Sequence, residues 1–139
     1  MLRALNGYET NDTCGMPFSL SLLVLPLSLH RASREAINRG NRSYLTKILD
    51  DNPPIRVGLA ERVHDLLPYT FEALGYLMQQ NAIEVGDDGR LLTKPRSIKS
   101  TITGSDETQA CQRAAQTLGK KFAVTTDRVT IFVSLGLRP

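Results

Sequence analysis

The chain has few of the residues that carry chemistry. It holds two cysteines and two histidines in 139 residues. Cys14 and Cys111 stand far apart with no C-x-x-C spacing, which argues against a disulfide framework and a structural zinc site and for two reduced thiols. His30 follows an apolar run, where capping or packing is a commoner role than catalysis. His64 lies mid-helix in "ERVHDLL". Glu61-x-x-His64 occurs once there, whereas carboxylate-bridged metal bundles use that spacing twice. The phosphate-binding loop is missing: Gly119-Lys120-Lys121 keeps a fragment of it, but Ala114 stands where its first glycine belongs and no hydroxyl follows. No G-x-G-x-x-G or G-x-S-x-G is present. These absences exclude an obvious catalytic set, metal or cofactor, and the expectation is a protein that is not an enzyme. No apolar run reaches the roughly 20 residues of a bilayer span. "MPFSLSLLVLPLSLH" (16–30) is shorter, is interrupted by Pro26, and starts too late for a signal peptide. It reads as a buried segment of a cytoplasmic protein.

What is present is a succession of short amphipathic elements. "MLRALNGYE" (1–9) reads as a helix stopped near Gly7. Residues 17–29 read as a buried helix with Pro17 at its first position, kinked or ended at Pro26, although Phe18-Ser-Leu-Ser-Leu also fits a strand. Ser33 is placed to cap a short helix that Gly40 stops, and Ser43 to cap the next, whose Leu45, Ile48 and Leu49 share a face. Residues 55–67 carry Leu59, Val63, Leu66 and Leu67 at helical spacing. Pro68 then reads as the start of a further helix over 68–81, with Leu67, Phe71, Leu74 and Met78 as core stripe and Asn81 as C-cap.

The stretch "AIEVGDDGRLLTKP" (82–95) predicts a hairpin, with Ile83 and Val85 on one strand, Leu91 and Leu92 on the other, and Asp88-Gly89 in the positive-φ turn. Residues 94–108 form a polar linker. A helix broken or bent near Gly119 follows, and then a tail over 125–139. Its β-branched residues suit a strand, but Asp127 as cap and Gly136 as stop favour a helix. The expected fold is mainly α with a β-hairpin. One domain covers 1–139, a winged-helix-like core over about 43–95 with an apolar N-terminal segment and a C-terminal helical extension over about 106–139.

A winged helix that reads DNA puts its last helix in the major groove and surrounds it with Lys and Arg. Helix 68–81 has neither, and its one charge is Glu72. Residues 48–89 hold Arg56 and Arg62 against eight acids, a net of −6. Positive charge lies elsewhere. Arg31, Arg34, Arg39, Arg42 and Lys47 give 31–47 a net of +4, and Arg90, Lys94, Arg96 and Lys99 give 90–100 the same. Those two runs are candidates for an acidic partner or for weak, non-specific contact with nucleic acid backbone. On the other side of helix 68–81, Tyr69, Ala73, Tyr76 and Leu77 form a second apolar face. Tyr69, Tyr76 and Leu77 are therefore the candidates for a protein interface, unless the chain ends cover them.

Three segments together resemble a known family: "LLVLPLSLHRASREAI" (22–37), "LDDNPPIRVGLAERVHDLLPYTFEALGYLMQQNAIEVGDDGRL" (49–91) and "VTIFVSLGLRP" (129–139). They are similar to the small middle components of bacterial three-component ABC ATPase systems. Those components share an apolar L-P-L-x-L-H element, a G-(F/L)-A-E-R segment leading into (L/V)-P-(Y/F)-T-x-E-A-L, a DDGRL-type hairpin and a G-(V/L)-R-P end. Phe71 departs from the family pattern, which has a charged residue there, and family members carry a longer first helix, which implies a shortened or mis-assigned start at Met1. The resemblance implies a non-catalytic adaptor between an ABC-type ATPase subunit and a third, sensor or effector, subunit, acting against phages or mobile elements. The alternative on the residues alone is a winged-helix DNA-binding transcriptional regulator.

Overall fold

The hairpin forms where turn chemistry and alternation coincide. In the computed structural model, which describes residues 1–125 and 127–138, β2 (Ile83–Val85) and β3 (Arg90–Thr93) pair antiparallel, with Val85 opposite Leu91 and Ile83 opposite Thr93. Gly89 N–H donates to Gly86 O at 2.9 Å and Gly86 N–H to Arg90 O at 2.8 Å. Gly89 alone takes the left-handed conformation, at φ +76°, so the positive φ expected at Asp88 does not occur. A third strand completes the sheet. β1 (Met16–Pro17) pairs with the free edge of β3, Met16 opposite Leu91, giving the antiparallel order β1-β3-β2. The sequence reading missed this strand. Two residues carry no period, and their partner lies in a distant segment.

The remainder of the described chain is mainly helical. α1 (Leu2–Glu9) does not stop at Gly7. The expected single helix over 17–29 is β1 followed by two short helices, α2 (Phe18–Ser21) and α3 (Val24–Leu29). Pro17 lies in the strand, and Pro26 sits inside the first turn of α3, where its missing N–H is not needed. α4 (Arg31–Arg39) is capped by His30, whose ring accepts from Ser33 N–H, so Ser33 is helical and not the cap. α5 (Leu45–Asp51) starts after Tyr44 with no side-chain cap, so Ser43 does not serve either. A 3-10 turn over Pro53–Arg56 leads into the longest helix, α6 (Leu59–Gln79).

α6 corrects the largest expectation. Pro68 does not begin a helix; it lies within one. The position is exposed, so the carbonyl that Pro68 leaves without an N–H faces water. With the break gone, the core-facing line is Leu59, Val63, Thr70, Leu74 and Leu77. Of the expected stripe only Leu74 is buried, while Phe71 is 51% and Met78 42% exposed. The C-cap is Gln80, one residue before the expected Asn81, which instead supplies the left-handed residue that follows it. Asn81 takes φ +52°, with Ala82 N–H donating to Leu77 O at 2.8 Å and Asn81 N–H to Met78 O at 2.9 Å.

α7 (Asp106–Val124) runs unbroken through Gly119, and α8 (Arg128–Ser134) confirms the helical reading of the tail. Asp127 caps α8 by accepting Thr130 N–H at 2.8 Å, and Gly136 follows at φ +74°. Thr126 and Pro139, both in the expected C-terminal extension, lie outside the described residues. α7 is no decoration, since it packs against α1, α3 and α4 and buries Ala114, Ala115, Leu118 and Phe122. Arg3 meets Gln112 and Gly7 meets Gln116 at a constant offset, so α1 and α7 run in the same direction. At the other end of α1, Glu9 accepts from both Thr93 N–H and Thr93 Oγ1 and so ties the sheet to this helix pair.

Candidate docking surfaces

The two histidines are accounted for without catalysis. His64 is exposed and lies 3.5 Å from the Asp65 carboxylate. His30 Nδ1 lies 2.8 Å from Ser33 Oγ and accepts Ser33 N–H at a long 3.4 Å. No group of three or more His, Cys, Asp or Glu side chains able to hold a metal occurs among the described residues. Cys14 and Cys111 are both free thiols.

The cap makes His30 pH-sensitive. Burial, then the positive charges of Arg62 and Arg34, holds its pKa below the ordinary value. The unfolded chain therefore takes up this proton more readily. The stability from a neutral His30 is present above about pH 6.5 and lost as pH falls through the folded value. Thermal melts taken from about pH 7 to about pH 5 are expected to fall more steeply for the parent than for His30→Asn, which caps without titrating. Parallel pH profiles would mean that the ring does not act as the cap.

α6 shows apolar residues on both sides of its buried line. On one flank Tyr69 is 61% and Tyr76 60% exposed. Leu77 sits between these tyrosines and the core, partly buried against it. Beside them runs a groove of about 440 Å³ whose lining includes Ala73, Tyr76, Leu77, Ile98, Lys99 and Leu2. The structure thus answers the question of cover in two parts. The start of α1 and the linker partly shield Leu77, and both tyrosines stay open. It also brings Lys99, a candidate from the basic set, beside Tyr76.

On the opposite flank Phe71 stacks on Phe18 of α2, ring centroids 6.2 Å apart and planes at 19°. Phe18 also lines a groove of about 800 Å³ with Tyr8, Arg90 and Phe122. The sequence reading missed this aromatic pair because both residues suit a core stripe. The one signal that could have found it is the family departure at Phe71.

The nine basic candidates separate by what they touch. Arg34 is buried, donating to Leu29 O at 2.9 Å, Cys111 Sγ at 3.3 Å and Glu107 at 2.9 Å. Arg31 pairs with Glu35 at 2.9 Å and Lys47 with Asp51 at 3.1 Å. Arg90 bridges Asp12 at 3.1 Å, Asp88 at 3.2 Å and Gly15 O at 3.0 Å, tying the loop after α1 to the hairpin. The Cys14 backbone N–H first, and Arg90 after it, hold the Asp12 carboxyl below the usual range. Lys94 pairs with Glu84. The side chains of Arg39, Arg42, Arg96 and Lys99 make no hydrogen bond or ion pair among the described residues. The cleft lined by Arg31 and Arg34 also holds Glu35, Asp106 and Glu107, a poor setting for phosphate.

One buried cation was not anticipated. Lys121 donates to the carbonyls of Asn41 and Ser43, holding the loop that carries Arg42, and burial lowers its pKa. In the sequence it had read only as a remnant of a phosphate loop.

The family model described as ABC-three component (ABC-3C) system Middle Component 3 matches residues 1–139, the whole chain. The chain belongs to this family. Middle Component 3 membership implies partnership with the other components of such a system. No curated protein and no solved structure matches the chain. No helix among the described residues of this Middle Component 3 chain is long and apolar enough to cross a membrane.

Proposed function

We propose that this Middle Component 3 chain is a non-catalytic adaptor, joining an ABC-type ATPase subunit to a sensor or effector subunit in a bacterial system directed against phages or mobile elements. On this reading α5, α6 and the three-stranded sheet are a winged helix turned from DNA to protein contact. The observation that carries it is the exposed flank of α6. Tyr69 and Tyr76 lie two turns apart on one side, each more than half open to solvent, with an apolar groove next to Tyr76. Tyrosines in such positions are common anchors of protein interfaces.

The transcriptional regulator is the second reading. It needs cations on the helix preceding the wing, and α6 has only Arg62, whose guanidinium donates to Val57 O at 2.6 Å and Ile55 O at 2.8 Å. That cation supports the backbone below the helix instead of facing outward.

Replacing both Tyr69 and Tyr76 by alanine is expected to leave circular dichroism and melting unchanged. The same change should weaken capture of the ABC-type ATPase subunit of the same system by about 2 kcal/mol, roughly thirty-fold. An intact fold with undiminished capture would count against this face.

A further inference from the structure

Two stretches without a single acid meet where the loop after α4 lies along α7. Residues 36–49 hold Arg39, Arg42 and Lys47, and residues 108–125 hold Arg113, Lys120 and Lys121. The carboxylates of α7, Asp106 and Glu107, are confined to its first turn. Asn38 donates to Ala110 O at 3.0 Å, and the buried Lys121 donates to the carbonyls of Asn41 and Ser43, which fastens the loop to the helix. Arg113 and Lys120, seven positions apart, share the exposed side of α7 next to the line of Ala110 and Lys121. Arg39, Arg42, Arg113 and Lys120 are all exposed and make no ion pair among the described residues. Lys47 is paired with Asp51 and adds no net charge, and Asp127, beyond α7, is taken up as the cap of α8. On the same loop Tyr44 is 77% exposed, the most open of the large apolar and aromatic side chains among the described residues. It neither caps α5 nor stacks on another ring.

We infer that this surface binds single-stranded nucleic acid without regard to sequence. The four free cations face phosphates, and one base stacks on the ring of Tyr44. Lys121 acts from below as a positioning residue, holding the loop that presents Arg42 and Tyr44. The bases of a duplex are already stacked on one another, so only a single strand can use the ring. An acidic peptide satisfies the cations and leaves the ring idle, because an aromatic face attracts cations and flat π systems and not carboxylates. The surface lies on α4, its loop and α7, and the inference is independent of the adaptor reading, which rests on the flank of α6.

The test is fluorescence anisotropy of the full-length chain with three labelled probes: an oligothymidylate of about 20 nucleotides, a duplex of the same length, and polyglutamate. The parent is expected to bind the oligothymidylate most tightly and to lose roughly fifty-fold in affinity between about 50 and about 200 mM salt, as about four neutralised phosphates require. Tyr44→Ala should weaken single-strand binding roughly ten-fold at either salt and leave the salt slope and duplex binding unchanged. Tyr44→Phe should restore it. R39A/R42A should weaken binding of all three probes and cut the salt slope by about half. Lys99→Ala, in the basic run after the hairpin, should change nothing. The substituted side chains are exposed, and circular dichroism checks that each variant is folded. Polyglutamate bound as tightly as oligothymidylate, with no effect of Tyr44→Ala, would overturn the nucleic acid and make the occupant an acidic protein. No binding of any probe at the lower salt would overturn the surface itself. Either result leaves the α6 flank and the adaptor reading standing.

Discussion

Gly119→Ala is expected to lower the melting temperature by roughly 10 °C, an added methyl group costing about 3 kcal/mol. Gly75→Ala, the same change in another helix, is expected to raise it slightly. A Cβ at Gly119 would lie 1.9 Å from the Ala4 carbonyl oxygen and 2.8 Å from the Tyr8 nitrogen. Both atoms are backbone, so no side chain can swing aside. The reverse side of the contact is as tight, because a Cβ at Gly7 would lie 2.3 Å from Gln116 O. Relief requires α1 and α7 to separate, which loosens Ala4, Leu5, Ala115, Leu118 and Phe122 together. The helix propensity gained by alanine, about 1 kcal/mol, opposes this and is smaller. At Gly75 no atom lies within 4 Å of the added Cβ, so only the propensity gain remains. Calorimetry on the two variants checks the pair. Overlapping melts for parent and Gly119→Ala would mean that the two helices do not pack this closely.

These glycines show where the sequence stops being readable. Gly7 and Gly119 read as a stop and a bend because local rules treat glycine as a breaker. Their role is set by a helix more than a hundred residues away, and no local pattern records that. The hairpin, the left-handed Asn81 and the Asp127 cap were legible because each is decided within a few residues by turn or capping chemistry. α6 falls between these cases. Its existence was clear, but apolar residues on three sides allowed more than one stripe. Leu67, Phe71, Leu74 and Met78 have the right spacing, and only the position of the sheet and α3 selects Leu59, Val63, Thr70, Leu74 and Leu77 instead. Of the three interface candidates, Tyr69 and Tyr76 are far enough round the helix to stay exposed under either phase, whereas Leu77 turns to the core. The basic candidates fared unevenly, because composition counts charge and does not see what each cation touches.

Arg34→Ala is expected to cost about 3 kcal/mol of stability, while Arg39→Ala on the same helix stays within about 0.5 kcal/mol of the parent. Both read alike in the sequence, as members of one basic run. In the fold, the Arg34 side chain is 7% exposed and Glu107, its ionic partner, is 76% exposed. An ion pair with one partner in water contributes little. The larger share comes from Nη1, which donates to Leu29 O at the C-terminal end of α3 and to Cys111 Sγ on α7. Leu29 O is one of the carbonyls that a helix end leaves without an intrahelical donor, and a cation there also opposes the negative end of the helix dipole. Alanine would leave that carbonyl unsatisfied and open a void between α3, α4 and α7. Arg34→Lys is expected to recover only part of the loss, because an ammonium lacks the fork that reaches three acceptors from one plane. Denaturant titrations of the three variants give the stability order. Any loss of nucleic acid or acidic-partner binding in Arg34→Ala should disappear when fractions folded are matched, whereas Arg39→Ala or Arg42→Ala would lower such binding with the fold intact. Equal stability of Arg34→Ala and parent would return Arg34 to the surface set.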